Sequence, residues 1–203
     1  MPSRIALVLG LAAAMAGGTA MAAEQTAVFA GGCFWSVEAH LESIPGVVSA
    51  VSGFTGGKTQ NPTYPQVIGG GTGHMEAVQV TYDPQRVTYE DLLNAYWHSI
   101  DPTDPNGQFC DKGPQYRTAL FPSSPAENAA VEASRDAVQK ELGQAVATQI
   151  LPALPFYAAE DYHQDFAKKN PVRYEAYRVG CGRDRALRAV WGERAFAGLP
   201  ANH

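Results

Sequence analysis

The chain has 203 residues, with 15 Lys and Arg against 20 Asp and Glu, for a formal charge of −5. That length is enough for one domain with a sizeable core. The acidic balance, with no Lys/Arg cluster, argues against a protein that tracks nucleic-acid phosphates.

Arg4 opens a thin positive region, and Ile5 to Ala16 is apolar but shorter than the ~20 residues a membrane span needs. Ala20-Met21-Ala22 matches an A-x-A cleavage site. This predicts a signal peptide over residues 1–22, one mature domain over 23–203, and a periplasmic or secreted protein without stable membrane insertion. The alternative is an uncleaved anchor.

An apolar run from Ala27 to Ala30 reads as a strand feeding Gly31-Gly32-Cys33. Phe34, Val37, Leu41 and Ile44 then follow at helical spacing, with Cys33 expected in the first turn. The unpaired N–H groups and dipole of a helix start favour a thiolate, so an acidic, nucleophilic Cys33 is expected. A buried structural thiol is the alternative. Pro45-Gly46 ends the helix and Val47 to Phe54 reads as a strand. A long Gly/Pro/Asn/Thr connection spans Thr55 to Gly73; loops of that length are usually functional.

His74 to Tyr82 reads as a strand with Glu76, Val78, Val80 and Tyr82 on one face. If Glu76 points inward with its apolar neighbours, desolvation raises its pKa and makes it a proton donor. The alternative is a strand-end carboxylate in water or paired with an arginine. His74 is expected to be packed or hydrogen-bonded. Thr88 to Asp91 suits a helix start, and Leu92, Leu93, Tyr96, Trp97 and Ile100 give its buried face. A Pro/Gly/Asp-rich connection runs from Asp101 to Tyr116, followed by a strand over Tyr116 to Phe121. Ser124-Pro125-Ala126-Glu127 is a capping box opening a helix to about Leu142. Val146 to Leu151 reads as a strand, and Glu160 to Lys169 as a short helix broken by Pro171. An irregular C-terminal tail is expected to hold Cys181 between two glycines. Alternating helices and strands imply an α+β two-layer sandwich with a mixed sheet.

The cysteines are Cys33, Cys110 and Cys181. An odd number in an exported chain implies at least one free or reactive thiol. No ligand spacing joins them to His40, His74, His98 or His163, so no metal is expected. A cysteine hydrolase would need a histidine near Cys33. A disulfide-stabilised binding protein would need a stable cysteine pair and no reactive thiol.

Gly32-Cys33-Phe34-Trp35, Gly56-Gly57, Asn61-Pro62-Thr63-Tyr64, Gly73-His74-Met75-Glu76-Ala77-Val78, Tyr82-Asp83-Pro84 and Gln115-Tyr116-Arg117 occur in that order. Together they resemble the A-type peptide methionine sulfoxide reductases, from about Thr26 to Tyr177. The resemblance implies a ferredoxin-like plait and reduction of methionine-S-sulfoxide, free or in oxidised proteins. It also implies a set of roles. Cys33 is the nucleophile, Glu76 the proton donor, and Tyr64 and Tyr116 hydrogen-bond the sulfoxide oxygen. Phe34 and Trp35 hold the S-methyl group and Asp111 lines the site. Cys181 is the resolving cysteine, with Cys110 as rival. It implies no cofactor beyond an external thioredoxin-like dithiol, and a monomer is expected.

Overall fold

The structure, a computed structural model, describes residues 23–201. The expected leader, residues 1–22, lies outside the described residues.

Strands β1 (Gln25–Gly31), β2 (Val47–Thr55), β3 (Met75–Tyr82) and β6 (Thr118–Leu120) form the centre of one sheet. The short β4 (Gly107–Gln108) and β5 (Asp111–Lys112) pair separately as a hairpin. Edge strands β7 (Gln149–Ile150) and β8 (Tyr157–Ala158) complete the order β7-β6-β1-β3-β2-β8. Only β6–β7 is parallel, so the sheet is mixed, as expected. Helix α1 (Phe34–Glu42) connects β1 to β2, which leave room for β3 between them. Helix α3 (Tyr89–Trp97) follows β3 on the path to β6. The order β6-β1-β3-β2 with one helix in each crossover is the expected ferredoxin-like plait.

Period-2 alternation assigns the faces. Phe29, Val78, Val80 and Tyr82 turn toward α1 and α3 and join Val37, Leu41, Leu92, Leu93, Tyr96 and Ile100 in the main core. Ala30, Met75, Ala77, Ala119 and Phe121 form a smaller cluster of buried residues. Thr88 caps α3 as expected, accepting from the Asp91 N–H at 3.1 Å while Asp91 accepts from Thr88. Ser124 caps α4 (Pro125–Leu142), but its box is half formed: Glu127 turns back to Ser123 instead.

Four local expectations are corrected. The connection after β2 contains a short helix, α2 (Tyr64–Ile68), because Thr63 and Gln66 make a reciprocal cap with Pro65 in the first turn. The Glu160–Lys169 helix is a 3-10 turn (Asp161–His163), a break at Asp165 with φ 53°, and α5 (Phe166–Lys169). Pro171 opens a helix rather than ending one, because a proline lacks only an N–H that the first turn would not use. The tail is therefore not irregular. It forms α6 (Pro171–Gly180) and α7 (Arg183–Trp191), joined at Cys181-Gly182, where Gly182 takes φ 63°. Buried Arg183 donates to the Ser99 carbonyl at 3.0 Å, and Trp191 Nε1 donates to the Ile100 carbonyl at 2.8 Å. These two bonds tie the tail to the end of α3.

Gly32 needs to be glycine on two counts. Its φ is +85°, and a Cβ there would lie 2.6 Å from the Gln108 Cβ. Gly32→Ala should cost about 1–3 kcal/mol from the conformation alone, with overlap adding to it. Urea denaturation should show the lowered midpoint.

Candidate active site

Strand register brings the site together. Phe29 stands opposite Val78 on β3, so two residues on the chain reaches Gly31 level with Glu76. Gly31 also stands opposite Thr118 on β6, so the turn to Cys33 and the segment ending in Tyr116 lie at the same end of the sheet. Glu76 faces the helix side with Val78, Val80 and Tyr82, the inward face expected of it. Segments far apart in sequence thus converge where β1 turns into α1.

Cys33 occupies the N-cap position of α1, just before the first turn rather than within it. Its carbonyl accepts from the Ser36 and Val37 N–H groups at 3.1 and 3.4 Å. It is the free cysteine among the described residues and is 7% exposed. The expected acidic thiol is not found. Burial pushes the Cys33 thiol well up, and the Glu76 and Asp111 carboxylates add to the rise. A Tyr177 hydrogen bond and the Trp35 amide oppose it without prevailing. Desolvation outweighs the helix start here, because the helix-terminus effect amounts to only about 0.3–2 kcal/mol.

The first free amide of α1 serves Glu76. The Phe34 N–H donates to Glu76 Oε2 at 2.9 Å. Glu76 is 2% exposed, and among the described residues no arginine is paired or hydrogen-bonded with it. Burial raises its pKa from 4.5 to about 8, against the lowering effect of that one amide, and the Asp111 charge raises it further. The carboxyl is therefore mainly protonated at neutral pH. Since Oε2 accepts from an amide, the proton belongs on Oε1.

Tyr64 and Tyr116 flank this pair. Burial first, then the Glu76 and Cys33 charges, push Tyr64 up to about 12, while a hydrogen bond with Tyr116 opposes the rise. Tyr116 is raised by burial, Glu76, Tyr64, Asp111 and Cys33. Both phenols keep their protons and can donate. Tyr64 begins α2, its N–H held by Glu160 Oε1 at 2.9 Å. Phe34 is fully buried, its ring 6.2 Å from Tyr64 and 5.8 Å from Phe54. Trp35 stacks on Phe166 at 3.6 Å and 4°.

Cys110 and Cys181 are disulfide-bonded to each other, with Cα atoms 5.0 Å apart. Asp111, next to Cys110, accepts a hydrogen bond from Tyr177. Its carboxyl is raised by burial, while Tyr177, Arg183 and Lys112 counteract the rise.

All the expected side chains except the distal cysteine pair gather around Cys33. Two further residues belong to the site. Trp35 Nε1 donates to buried His163 Nδ1 at 3.0 Å, and the His163 ring lies 4.2 Å from Tyr64 and 4.9 Å from Phe34. This bond fixes the Nε2–H tautomer and the Trp35 orientation. The other is Tyr177. His163 lies in a 3-10 turn and Tyr177 in α6, where the sequence predicts one short helix and an irregular tail, so no spacing ties either to Cys33. His74 behaves as expected: it bonds the Gly57 N–H at 3.2 Å and the Thr59 carbonyl at 2.7 Å.

A family model described as peptide methionine sulfoxide reductase matches residues 25–195. A Caulobacter vibrioides protein named peptide methionine sulfoxide reductase MsrA 2 is 50% identical over 194 residues, spanning 93% of this chain and 98% of its own. A Rhizobium meliloti protein of the same name is 47% identical over 181 residues, spanning 89% and 90%. Among solved structures, reduced Mxr1 from Saccharomyces cerevisiae aligns at TM-score 0.70 and 33% identity, covering 73% of this chain and 87% of that one. Methionine sulfoxide reductase A of Corynebacterium diphtheriae aligns at 0.68 and 35%, covering 73% and 76%.

The raised Glu76 pKa makes two pH predictions. A reaction that needs the protonated carboxyl should slow by about tenfold per pH unit above about 8. Glu76→Gln should lower the rate by about 10²–10⁴-fold and remove that limb, as single-turnover kinetics across pH would show. Stability should move the opposite way to that of an ordinary carboxylate. The unfolded chain ionises near 4.5 and the folded one near 8, so folding should weaken as pH rises between them. Glu76→Gln should flatten that slope in denaturant titrations.

Proposed function

The chain belongs to the peptide methionine sulfoxide reductase A family, and on that premise we propose how its residues divide the reaction. It is an oxidoreductase that reduces methionine sulfoxide to methionine at the expense of thiols. The observation that carries the division of roles is a buried Glu76 held by the amide of Phe34, the residue that follows the free Cys33.

A sulfoxide is a weak electrophile because oxide is a poor leaving group. Glu76 Oε1 donates its proton to the sulfoxide oxygen, while the Tyr64 and Tyr116 hydroxyls hydrogen-bond the same atom. Cys33 attacks the sulfur with its electron pair, and its own proton replaces the one Glu76 has lost. The substrate sulfur gains two electrons and leaves as methionine. The bond that attack makes between the two sulfurs and the substrate S–O bond both break as the protonated oxygen passes to Cys33, which loses two electrons and becomes a sulfenic acid. Phe34 and Trp35 form the apolar wall for the S-methyl group, with Trp35 held by His163 and Phe166. Asp111 lines the site. The S epimer is the substrate form, in peptides, proteins and free methionine sulfoxide.

A buried thiol suits this sequence of proton transfers. While Glu76 is protonated, its charge does not oppose ionisation of Cys33. Once it has donated, its carboxylate can take the thiol proton. The two groups thus exchange one proton without placing two anions in the same apolar site.

Recycling runs through the distal pair. The Cys181 thiol condenses with the Cys33 sulfenic acid, releasing water and forming a Cys33–Cys181 disulfide. The Cys110 thiolate then attacks Cys181 and frees Cys33. The result is a Cys110–Cys181 disulfide with Cys33 reduced, and the pairing in the structure supports this end state. Cys110 is exposed at the surface, which suits attack by an external dithiol. A thioredoxin-like protein is the proposed reductant; one of the structural neighbours is Mxr1 in complex with Trx2. The apolar leader with its A-x-A site supports export, and N-terminal sequencing of the secreted protein should begin at Ala23.

A hydrolase reading finds no support. The groups that act on Cys33 are Glu76, Tyr177, Asp111 and the Trp35 amide, none of them a histidine. His163 is engaged with Trp35.

Turnover of an S-methionine sulfoxide peptide should vanish in Cys33→Ser with either dithiothreitol or thioredoxin. Cys181→Ser and Cys110→Ser should keep activity with dithiothreitol and lose it with thioredoxin. Retained turnover in Cys33→Ser would overturn the reading, and full thioredoxin-driven turnover in either of the other variants would overturn the relay.

A further inference from the structure

The Cys110–Cys181 disulfide and the Cys33 thiol are connected by one side chain, Tyr177. It lies on α6, four residues before Cys181, and its carbonyl accepts the Cys181 N–H at 2.9 Å. That spacing puts the two side chains on one helix face, about 6 Å apart along the axis. The Tyr177 hydroxyl donates to Asp111 Oδ2. The Asp111 carboxylate and the Cys110 and Cys181 sulfurs all lie within 4.8 Å of one another. The Tyr177 ring meets Trp35 edge-on, 5.9 Å between centroids and 83° between planes.

Tyr177 therefore stands among Cys33, Trp35 and Asp111, against the residues assigned to the sulfoxide. Cys33 is 93% covered in this form, since only 7% of it is exposed. A sulfoxide sulfur has to reach Cys33 Sγ, so a substrate and the Tyr177 phenol compete for one space. We infer that Tyr177 is a redox-linked stopper: while Cys110 and Cys181 are joined, α6 holds its phenol over Cys33, and reduction of that pair releases the helix and opens the site. The inference rests on the reading of Cys33 as the group that meets the sulfoxide.

The helix geometry gives the stopper a place in the cycle. A shift of α6 along its axis by about one turn would carry Cys181 to the position Tyr177 now holds, against Cys33. The space over Cys33 is then occupied in turn by substrate, by Cys181 and by Tyr177. Each excludes the others. When the disulfide has moved on to Cys110–Cys181, Cys33 is reduced and chemically able to react again. The closed site stops it from accepting a second sulfoxide before the distal pair is ready to resolve the product. A sulfenic acid left without a resolving thiol goes on to irreversible oxidation, which this ordering avoids. Burial raises the Tyr177 pKa, and the Cys33 and Asp111 charges raise it further, so the phenol keeps its proton and its bond to Asp111 at neutral pH.

The test reads access to Cys33 directly, by mass-spectrometric pulse alkylation with iodoacetamide. In wild type with the distal disulfide intact, Cys33 should react at least about tenfold more slowly than in Cys110→Ser/Cys181→Ser. Tyr177→Ala, with the disulfide retained, should raise the rate to near that of the double variant. Tyr177 acts on the Cys33 thiol in the direction that favours the thiolate, so its loss alone would slow alkylation and a faster rate reports opening. Tyr177→Phe keeps the ring and packing but frees it from Asp111, and should fall between the two. Equal Cys33 rates in oxidised wild type and oxidised Tyr177→Ala would overturn the inference. So would equal rates in oxidised wild type and the double serine variant. Failure of the reductase reading would show separately, as absence of methionine formation from the peptide sulfoxide under any reductant, while the alkylation comparison would still decide the stopper.

Discussion

A single amide hydrogen bond, Phe34 N–H to Glu76 Oε2 at 2.9 Å, joins the sheet to the helix at the point of reaction. A helix start offers several unpaired N–H groups. Here one is given to a carboxyl group buried under the apolar rings around it. One such bond is too little to compensate the loss of hydration, so the carboxyl keeps its proton to about pH 8. The same burial keeps Cys33 a thiol. Two groups that would ionise more readily in water, Glu76 and Cys33, are thus biased toward their neutral forms by the same burial.

The apolar side of the site is built in the same layered way. Phe34 is fully buried and packs on Phe54 from β2. Trp35 is clamped between the Phe166 ring and the His163 imidazole, which accepts its indole N–H. Gln164, next to His163, bonds both the N–H and the carbonyl of Ser52 at 2.9 Å, fastening that turn to the edge of β2. The aromatic wall beside Cys33 is thus held by a segment some 130 residues further along the chain. A rigid wall of this kind lets two donors and one acid converge on a single oxygen atom.

The tail carries one half of the disulfide, Cys181. Arg183, buried with its guanidinium 4.6 Å over the Phe109 ring, and Trp191 anchor α7, while α6 reaches the site through Tyr174, on Ser36, and Tyr177, on Asp111. Gly182, in a left-handed conformation between the helices, allows the sharp change of direction that sets Cys181 beside Cys110. The two cysteines are 71 residues apart in sequence, and it is the β4–β5 hairpin meeting the end of α6 that brings them together.

Local patterning in the sequence was enough for the frame. Alternation along residues 75–82 put Glu76 on the inward face, helical spacing from Phe34 gave α1, and the order of elements gave a mixed two-layer sheet. The ordered motifs carried the family resemblance and, with it, the residues gathered around Cys33. Three things were decided only by tertiary structure. The thiol's protonation follows from how completely Cys33 and Glu76 are covered, which no local pattern reports. The partnership of Cys110 with Cys181 follows from where two distant turns meet. The contacts of Tyr177 with Asp111 and of His163 with Trp35 follow from where α6 and the Asp161–His163 turn pack. Pro171 and the glycines around Cys181 read locally as breaks, whereas packing of Tyr174, Leu187 and Trp191 into buried positions holds α6 and α7 in place. Helices of ten residues or fewer gain most of their stability from such contacts, and those contacts are properties of the folded chain.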